Sequence, residues 1–68
     1  MPKGTVKWFN TTKGYGFIAP EDGGKDIFVH ISAVERSGLT GLADDELVEF
    51  ELIEGRDGRE MAGNLRKV

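Results

Sequence analysis

The 68-residue sequence has no cysteine, two prolines and a single histidine. Without cysteine it forms neither a disulfide framework nor a thiolate metal site, and His30 has no second histidine with which to hold a metal. No apolar run approaches the roughly 20 residues of a membrane span. The N-terminus MPKGTVKWFN has no hydrophobic signal-peptide region. We therefore expect a cytoplasmic protein that binds neither metal nor membrane.

The short length also limits what the chain can do. We expect residues 1–68 to form a single domain. A domain this small buries only about 60% of the surface of its unfolded chain, which leaves no room for a deep catalytic cleft. The sequence has no phosphate-cradling loop, and no acid is placed to complete a triad with Ser32 and His30. We predict that the protein is not an enzyme and uses no cofactor or small-molecule substrate.

Charge is distributed unevenly along the chain. Residues 1–30 carry four lysines against three acids, whereas residues 31–68 carry five basic residues against nine acids. Eight of the twelve acids fall between Asp44 and Glu60. Such a run is typical of a solvated face, although it would also suit a protein partner.

Ten glycines and two prolines divide the sequence into short apolar or alternating runs. Between residues 32 and 45 we expect a loop with one helical turn near residues 32–35. In the fourth run, a period of two places Val48, Phe50 and Leu52 inward. The pattern predicts an all-β fold, a small five-stranded antiparallel Greek-key barrel of the OB type. The predicted strands are Lys3–Asn10, Tyr15–Pro20, Asp26–Ile31, Glu46–Ile53 and roughly 59–67.

Two of these strands carry paired rings. Tyr15 and Phe17 share one face of the second strand, and Phe28 and His30 share one face of the third. Aliphatic residues already supply an inward face, so the rings are left outside, where an exposed apolar cluster needs a partner. Unpaired bases suit it, because stacking on a ring contributes about 1–3 kcal/mol per base. The predicted inward set is Val6, Ile18, Ile27, Val29, Ile31, Val34, Val48, Phe50, Leu52 and Leu65.

Three segments, GTVKWFN, KGYGFI and DIFVHIS, resemble the bacterial cold-shock proteins in their order and spacing. The resemblance covers essentially the whole chain, and KGYGFI and IFVHI correspond to the family's two ribonucleoprotein-type motifs. It implies a five-stranded OB-like barrel that binds single-stranded RNA and DNA. It also implies a role as an RNA chaperone or a transcription antiterminator in the stress response. The partners would be single-stranded RNA and DNA, bound by a monomer.

The resemblance further implies which side chains meet the nucleic acid. Lys7 and Lys13 would lie beside the phosphate backbone, and Asp26 would hydrogen-bond a base. Phe9 belongs to the matching block, with half burial as the alternative. The base platform would comprise Trp8, Tyr15, Phe17, Phe28 and His30. Weaker candidates for contact are Lys3, Lys25, Arg56 and Arg59.

Two positions depart from the family pattern. Ile31 stands where relatives often have phenylalanine, and Leu39 stands where they often have an aromatic residue. We therefore expect a shorter nucleic-acid footprint than in relatives with both rings. Because Leu39 lies in a glycine-flanked loop, we also expect that a larger side chain there would not disturb the core. The fifth strand has Glu60 and Met61 where many relatives carry a proline.

Two other functional classes remain open from the residues alone. An RRM-type domain is one, because Lys13–Ile18 also fits its ring motif. Its two helices have no visible pattern here. The other is a protein-interaction barrel that uses its acidic face.

Overall fold

The computed structural model describes residues 2–55 and 58–68, which form a closed barrel of five strands with one short helix. The sheet order is β1-β2-β3-β5-β4, and β4 closes the barrel on β1. Among the described residues every pair is antiparallel except β3 and β5, which are parallel. The predicted five-stranded barrel is confirmed, with this one parallel pair. The elements are β1 (Lys3–Asn10), β2 (Tyr15–Pro20), β3 (Ile27–His30), α1 (Ile31–Arg36), β4 (Leu47–Glu54) and β5 (Glu60–Lys67).

The barrel interior is filled mainly by aliphatic side chains from every element. The sequence pattern predicts all of these core residues except Leu42 and Ala62. Ile27 is only half-buried, packed against the edge of the core. The core comprises Val6, Ile18, Val29, Val34, Leu42, Val48, Phe50, Ala62 and Leu65.

The third strand is shorter than predicted, and Ile31 is not part of it. His30 caps α1, because its Nδ1 accepts a hydrogen bond from the Ser32 backbone N–H at 3.1 Å. The chain therefore turns into the helix at Ile31, which is half-buried and does not join the inward face. Within the described part of the chain, α1 is the one helix and has six residues. This excludes the RRM architecture, which needs two helices.

The prediction that Leu52 is a buried core residue is wrong, because this side chain is 49% exposed. β4 pairs with β1 only between Leu47 and Glu49. Beyond that point, residues 51–54 pair with β5 alone. Leu52 lies opposite the buried Ala62 but is itself exposed, because β1 no longer pairs with β4 at this level.

An irregularity in β1 determines the direction of Trp8. Val6 pairs with Ile18, but Trp8 pairs with Phe17, so Lys7 is an extra residue in the strand. A β-bulge of this kind shifts the alternation of side chains by one position. Strict alternation from the buried Val6 would place Trp8 in the core. The bulge instead places Trp8 on the outer surface, where it is 39% exposed.

Gly16 allows β1 and β2 to approach closely behind the outer surface. It pairs with Phe9, which faces inward and packs against the core. A Cβ at Gly16 would collide with the carbonyl oxygen of Trp8 and would lie 2.7 Å from the Cα of Phe9. Both are backbone atoms, so no change of rotamer could relieve the collision.

Candidate nucleic-acid interface

Five rings lie together on the outer face of β1, β2 and β3. The centroid of Trp8 lies 5.4 Å from that of Phe17 and 5.6 Å from that of Tyr15. The centroid of Phe28 lies 5.7 Å from Tyr15, 5.9 Å from Phe17 and 6.4 Å from His30. These separations are those of contacting rings, about 4.5–7 Å. The structure thus brings together the predicted platform, termed the ring cluster below: Trp8, Tyr15, Phe17, Phe28 and His30.

The pairing of the strands accounts for the ring cluster. Tyr15 is the partner of His30, and Phe17 is the partner of Phe28, across β2 and β3. Phe17 is also the partner of Trp8, across β1 and β2. Cross-strand partners project from the same face of a sheet. The rings therefore form rows that cross the strands, and each row presents its members side by side.

The rings are only partly covered. Tyr15, Phe17 and Phe28 are half-buried, and Trp8 and His30 are exposed. The inward positions between them, Gly16 and Val29 among others, are buried. The rings shield one another at their edges without entering the core, which leaves an apolar surface that a flat, unpaired base can cover.

Ser32 orients His30, a contact that sequence reasoning missed. The Nδ1 of His30 accepts the Ser32 N–H and lies 2.9 Å from the Ser32 hydroxyl oxygen. Because Nδ1 is the acceptor of the backbone bond, the neutral ring carries its proton on Nε2. The only sequence signal for this contact is a serine two residues after a histidine at the start of a helical turn.

Four lysines lie in or next to the strands that carry the ring cluster. Lys7 forms an ion pair with Asp26, with 2.9 Å between Nζ and Oδ2, and both side chains are substantially exposed. Such an exposed pair contributes little to stability, so a phosphate can take the place of the carboxylate. Lys13 is exposed, and its backbone N–H donates to Oδ1 of Asn10 at 2.9 Å in the turn before β2. Lys3 and Lys25 are exposed as well.

Other predicted site residues lie apart from the ring cluster. Phe9 faces the barrel interior, so it supports β1 from behind. Leu39 is half-buried and packs against the core, which corrects the expectation that its side chain lies clear of it. Ile31 is half-buried beside Gly14, whose carbonyl accepts the Ile31 N–H at 2.9 Å. Arg56 lies outside the described residues.

Residues 2–55 and 58–68 contain neither a grouping suited to a metal nor a membrane-spanning helix. Across residues 2–55 and 58–68, no three His, Cys, Asp or Glu side chains are grouped as a metal site would require. Within the same ranges, no helix has the length and hydrophobicity needed to cross a bilayer.

The barrel and the ring cluster define a small nucleic-acid-binding barrel of the OB type, and comparison with known proteins agrees. The family described as the 'Cold-shock' DNA-binding domain matches residues 2–68. The chain therefore belongs to the cold-shock domain family, as its motifs predict. It is a nucleic-acid-binding protein, and an RNA-chaperone role fits this family.

Individual relatives cover most of the chain. A probable cold shock protein of Sinorhizobium fredii, y4cH, is 57% identical over 67 residues, which are 97% of each chain. The cold shock protein CspA of Rhizobium meliloti is 51% identical over the same share of both chains. The cold shock-like protein CspE of Escherichia coli K12 is 57% identical over 56 residues, 82% of this chain and 81% of its own.

Proposed function

We propose that this protein binds single-stranded RNA and DNA through the ring cluster and acts as an RNA chaperone that needs no ATP. The observation that carries the proposal is the contact of five rings across three neighbouring strands. A duplex keeps its bases stacked within the helix, whereas an open strand can offer a base face to each ring. Through the same preference the protein would act as an antiterminator or regulator of transcription.

Each side chain of the interface has a proposed role. The ring cluster stacks on successive bases, and Lys7 and Lys13 contact phosphates. Asp26 accepts a hydrogen bond from a base once a phosphate draws Lys7 away. Ile31 and Leu39 give apolar contact at an outer subsite, where a ring would hold a base more strongly. Phe9 packs against the core and so holds in place the strand that carries Trp8.

The proposed mechanism is a shift of equilibrium. A ligand that binds only one of two states stabilises that state by mass action. Here the protein is the ligand and the open form of a hairpin is the state it binds. The hairpin opens more often in its presence, and no bond is made or broken. We further propose that the chain works as a monomeric single domain in the cytoplasm and has no enzymatic activity.

Hairpin opening without ATP tests this proposal. An RNA hairpin with a fluorophore and a quencher at its ends should brighten when protein is added without nucleotide. The doubly substituted Phe17→Ala/Phe28→Ala protein should lose this effect, because two stacking surfaces are removed. Leu52→Ala is the matched control, since Leu52 is an exposed apolar residue of β4 outside the ring cluster. Equal opening by all three folded proteins would refute the assignment.

A further inference from the structure

A groove borders the ring cluster on the side away from Trp8. It has a volume of about 860 Å³ and begins at Phe28 and His30. From there it runs between α1 and the ends of β4 and β5, over Ala33, Met61 and Ile53. Sites for small ligands in proteins have volumes of about 300–1,000 Å³ and mostly apolar linings. The groove is therefore large enough for a base, and its floor is apolar.

Strand pairing makes the groove floor a continuation of the ring cluster. The parallel pair of β3 and β5 places Met61 opposite Phe28. The antiparallel pair of β4 and β5 places Ile53 opposite Met61. Because partners share a face, one outer row crosses all five strands. Its members are Trp8, Phe17, Phe28, Met61 and Ile53.

Exposure along the row supports this continuity. Met61 is half-buried and Ile53 is 40% exposed, close to the 39% of Trp8 at the opposite end. The inward partners Val29 and Ala62, one residue along, are completely buried. Gly63 leaves space for Ile53, because a Cβ at Gly63 would collide with that side chain. The row is thus an outer apolar surface from end to end.

We propose that Met61 and Ile53 form a further base-binding subsite, which extends the single-stranded footprint from β3 onto β5 and β4. This inference rests on the proposed function, because its occupant is the next unpaired base of a strand already stacked on Phe28. Neighbouring strands lie about 4.8 Å apart, so two added strands lengthen the row by about 10 Å. A thioether and an aliphatic side chain cover a base by apolar contact and do not read its edge.

Charges around the groove indicate a base and not a phosphate as the occupant. Arg36 and Arg59 line it together with Glu54 and Glu60, so its formal charges sum to zero. A phosphate subsite needs a surplus of cations and makes binding strongly dependent on salt. An apolar floor within a neutral rim instead favours an uncharged, flat group. The subsite should therefore add affinity that changes little with ionic strength.

Titration with oligothymidylates of increasing length tests the subsite. Met61→Ala and Ile53→Ala should bind the longer oligomers about threefold to tenfold more weakly than the parent, through lost apolar contact. Both should bind the shortest oligomers like the parent. The ratio should be the same at low and moderate salt. Met61→Leu should retain parental affinity, because it conserves volume, and Leu52→Ala is the control on the other face of β4.

Methyl NMR identifies the occupant directly. The ε-methyl signal of Met61 should shift with long oligothymidylates and stay in place with the shortest. A signal that moves with protein concentration alone would overturn the proposal and indicate contact with a second copy. Parental affinity of folded Met61→Ala and Ile53→Ala at every length would also overturn it. In that case Phe28→Ala would still weaken every length if the proposed function holds, whereas failure of the proposed function would leave all lengths insensitive to Phe28.

Discussion

The two sides of this barrel share the alternation of inward and outward residues, but they differ in the residue types at their outward positions. On β1, β2 and β3 the outward positions carry rings, with Lys7 and Lys13 at the border. On β4 the outward residues Glu49 and Glu51 and the terminal residue Glu54 are acidic, and only Ile53 continues the apolar outer row. The inward positions of both sides are apolar, mostly aliphatic with Phe9 and Phe50 among them. Function in this fold is therefore decided by outward residues, which contribute little to the core.

The acidic side is only partly neutralised. Lys67 pairs with Glu46, with 3.4 Å between Nζ and Oε2. The amide of Asn64 donates to Oε2 of Glu51 at 3.0 Å. Glu54 lies at the exposed end of β4. A polyanion approaching this side would meet like charge, which supports the proposal that nucleic acid is bound on the ring side.

Substitution of Gly16 should have the largest effect, because it damages both the core and the ring cluster. Gly16→Ala forces β1 away from β2 and should lower the free energy of unfolding by about 3 kcal/mol. Urea denaturation measures this loss. Gly41→Ala is the control, since a methyl group there would meet only the Thr11 side chain at an ordinary 3.5 Å. Equal stability of the two variants would contradict the close approach of the strands.

Truncation of a single ring should have the second-largest effect, and it tests whether the two sides of the barrel differ in their contribution to binding. Phe17→Ala and Phe28→Ala should each weaken binding to a pyrimidine-rich single strand by about 1–3 kcal/mol, the value of one stack. Leu52→Ala removes a more exposed apolar side chain from β4 and should change affinity little. Fluorescence titration of the three folded proteins checks this. A loss of affinity in Leu52→Ala as large as in Phe17→Ala would show that the ring side and β4 do not differ in their contribution to binding.

Salt should act in opposite directions on binding and on stability. With two or three lysines at phosphates, log K should fall against log[salt] with a slope of about −1.4 to −2, at about 0.7 per phosphate. Moderate salt should nevertheless raise the melting temperature, because it screens repulsion among the acids between Asp44 and Glu60. Titrations and thermal melts over one salt series test both parts. A much steeper slope, or a falling melting temperature, would contradict them.

Enlargement of Leu39 should have the smallest effect. Leu39→Phe adds a ring at the outer subsite and should tighten binding to long oligonucleotides by less than about tenfold, with the shortest unaffected. Since Leu39 packs against the core, stability should fall by about 1 kcal/mol. Leu47→Phe, at an exposed position of β4, is the control. Equal affinities at every length would show that Leu39 does not border the nucleic acid.

Features that depend on local alternation could be predicted from the sequence. The faces of β2 and β3 follow a period of two without interruption, so the positions of Phe17 and Phe28 were predictable. The bulge at Lys7 has no local signal, and alternation alone would have buried Trp8. The motif match placed Trp8 correctly without explaining its direction.

Features that depend on contacts distant in sequence could not be predicted. The exposure of Leu52 follows from where β1 stops pairing with β4, a point that neither strand encodes by itself. The position of Met61 opposite Phe28 requires the parallel pairing of β3 with β5, which lie far apart in the chain. Partners of that kind follow only from the closed barrel.

The intrinsic fluorescence of Trp8 tests the central claim most directly, because Trp8 is the only tryptophan and lies in the ring cluster. An unstructured pyrimidine-rich oligonucleotide should quench it saturably, with a midpoint that Phe17→Ala moves to higher concentration. The same sequence annealed to its complement should quench it far less, since paired bases offer no free face. Equal quenching by the single strand and the duplex, or none by either, would contradict the assignment of the rings to unpaired bases.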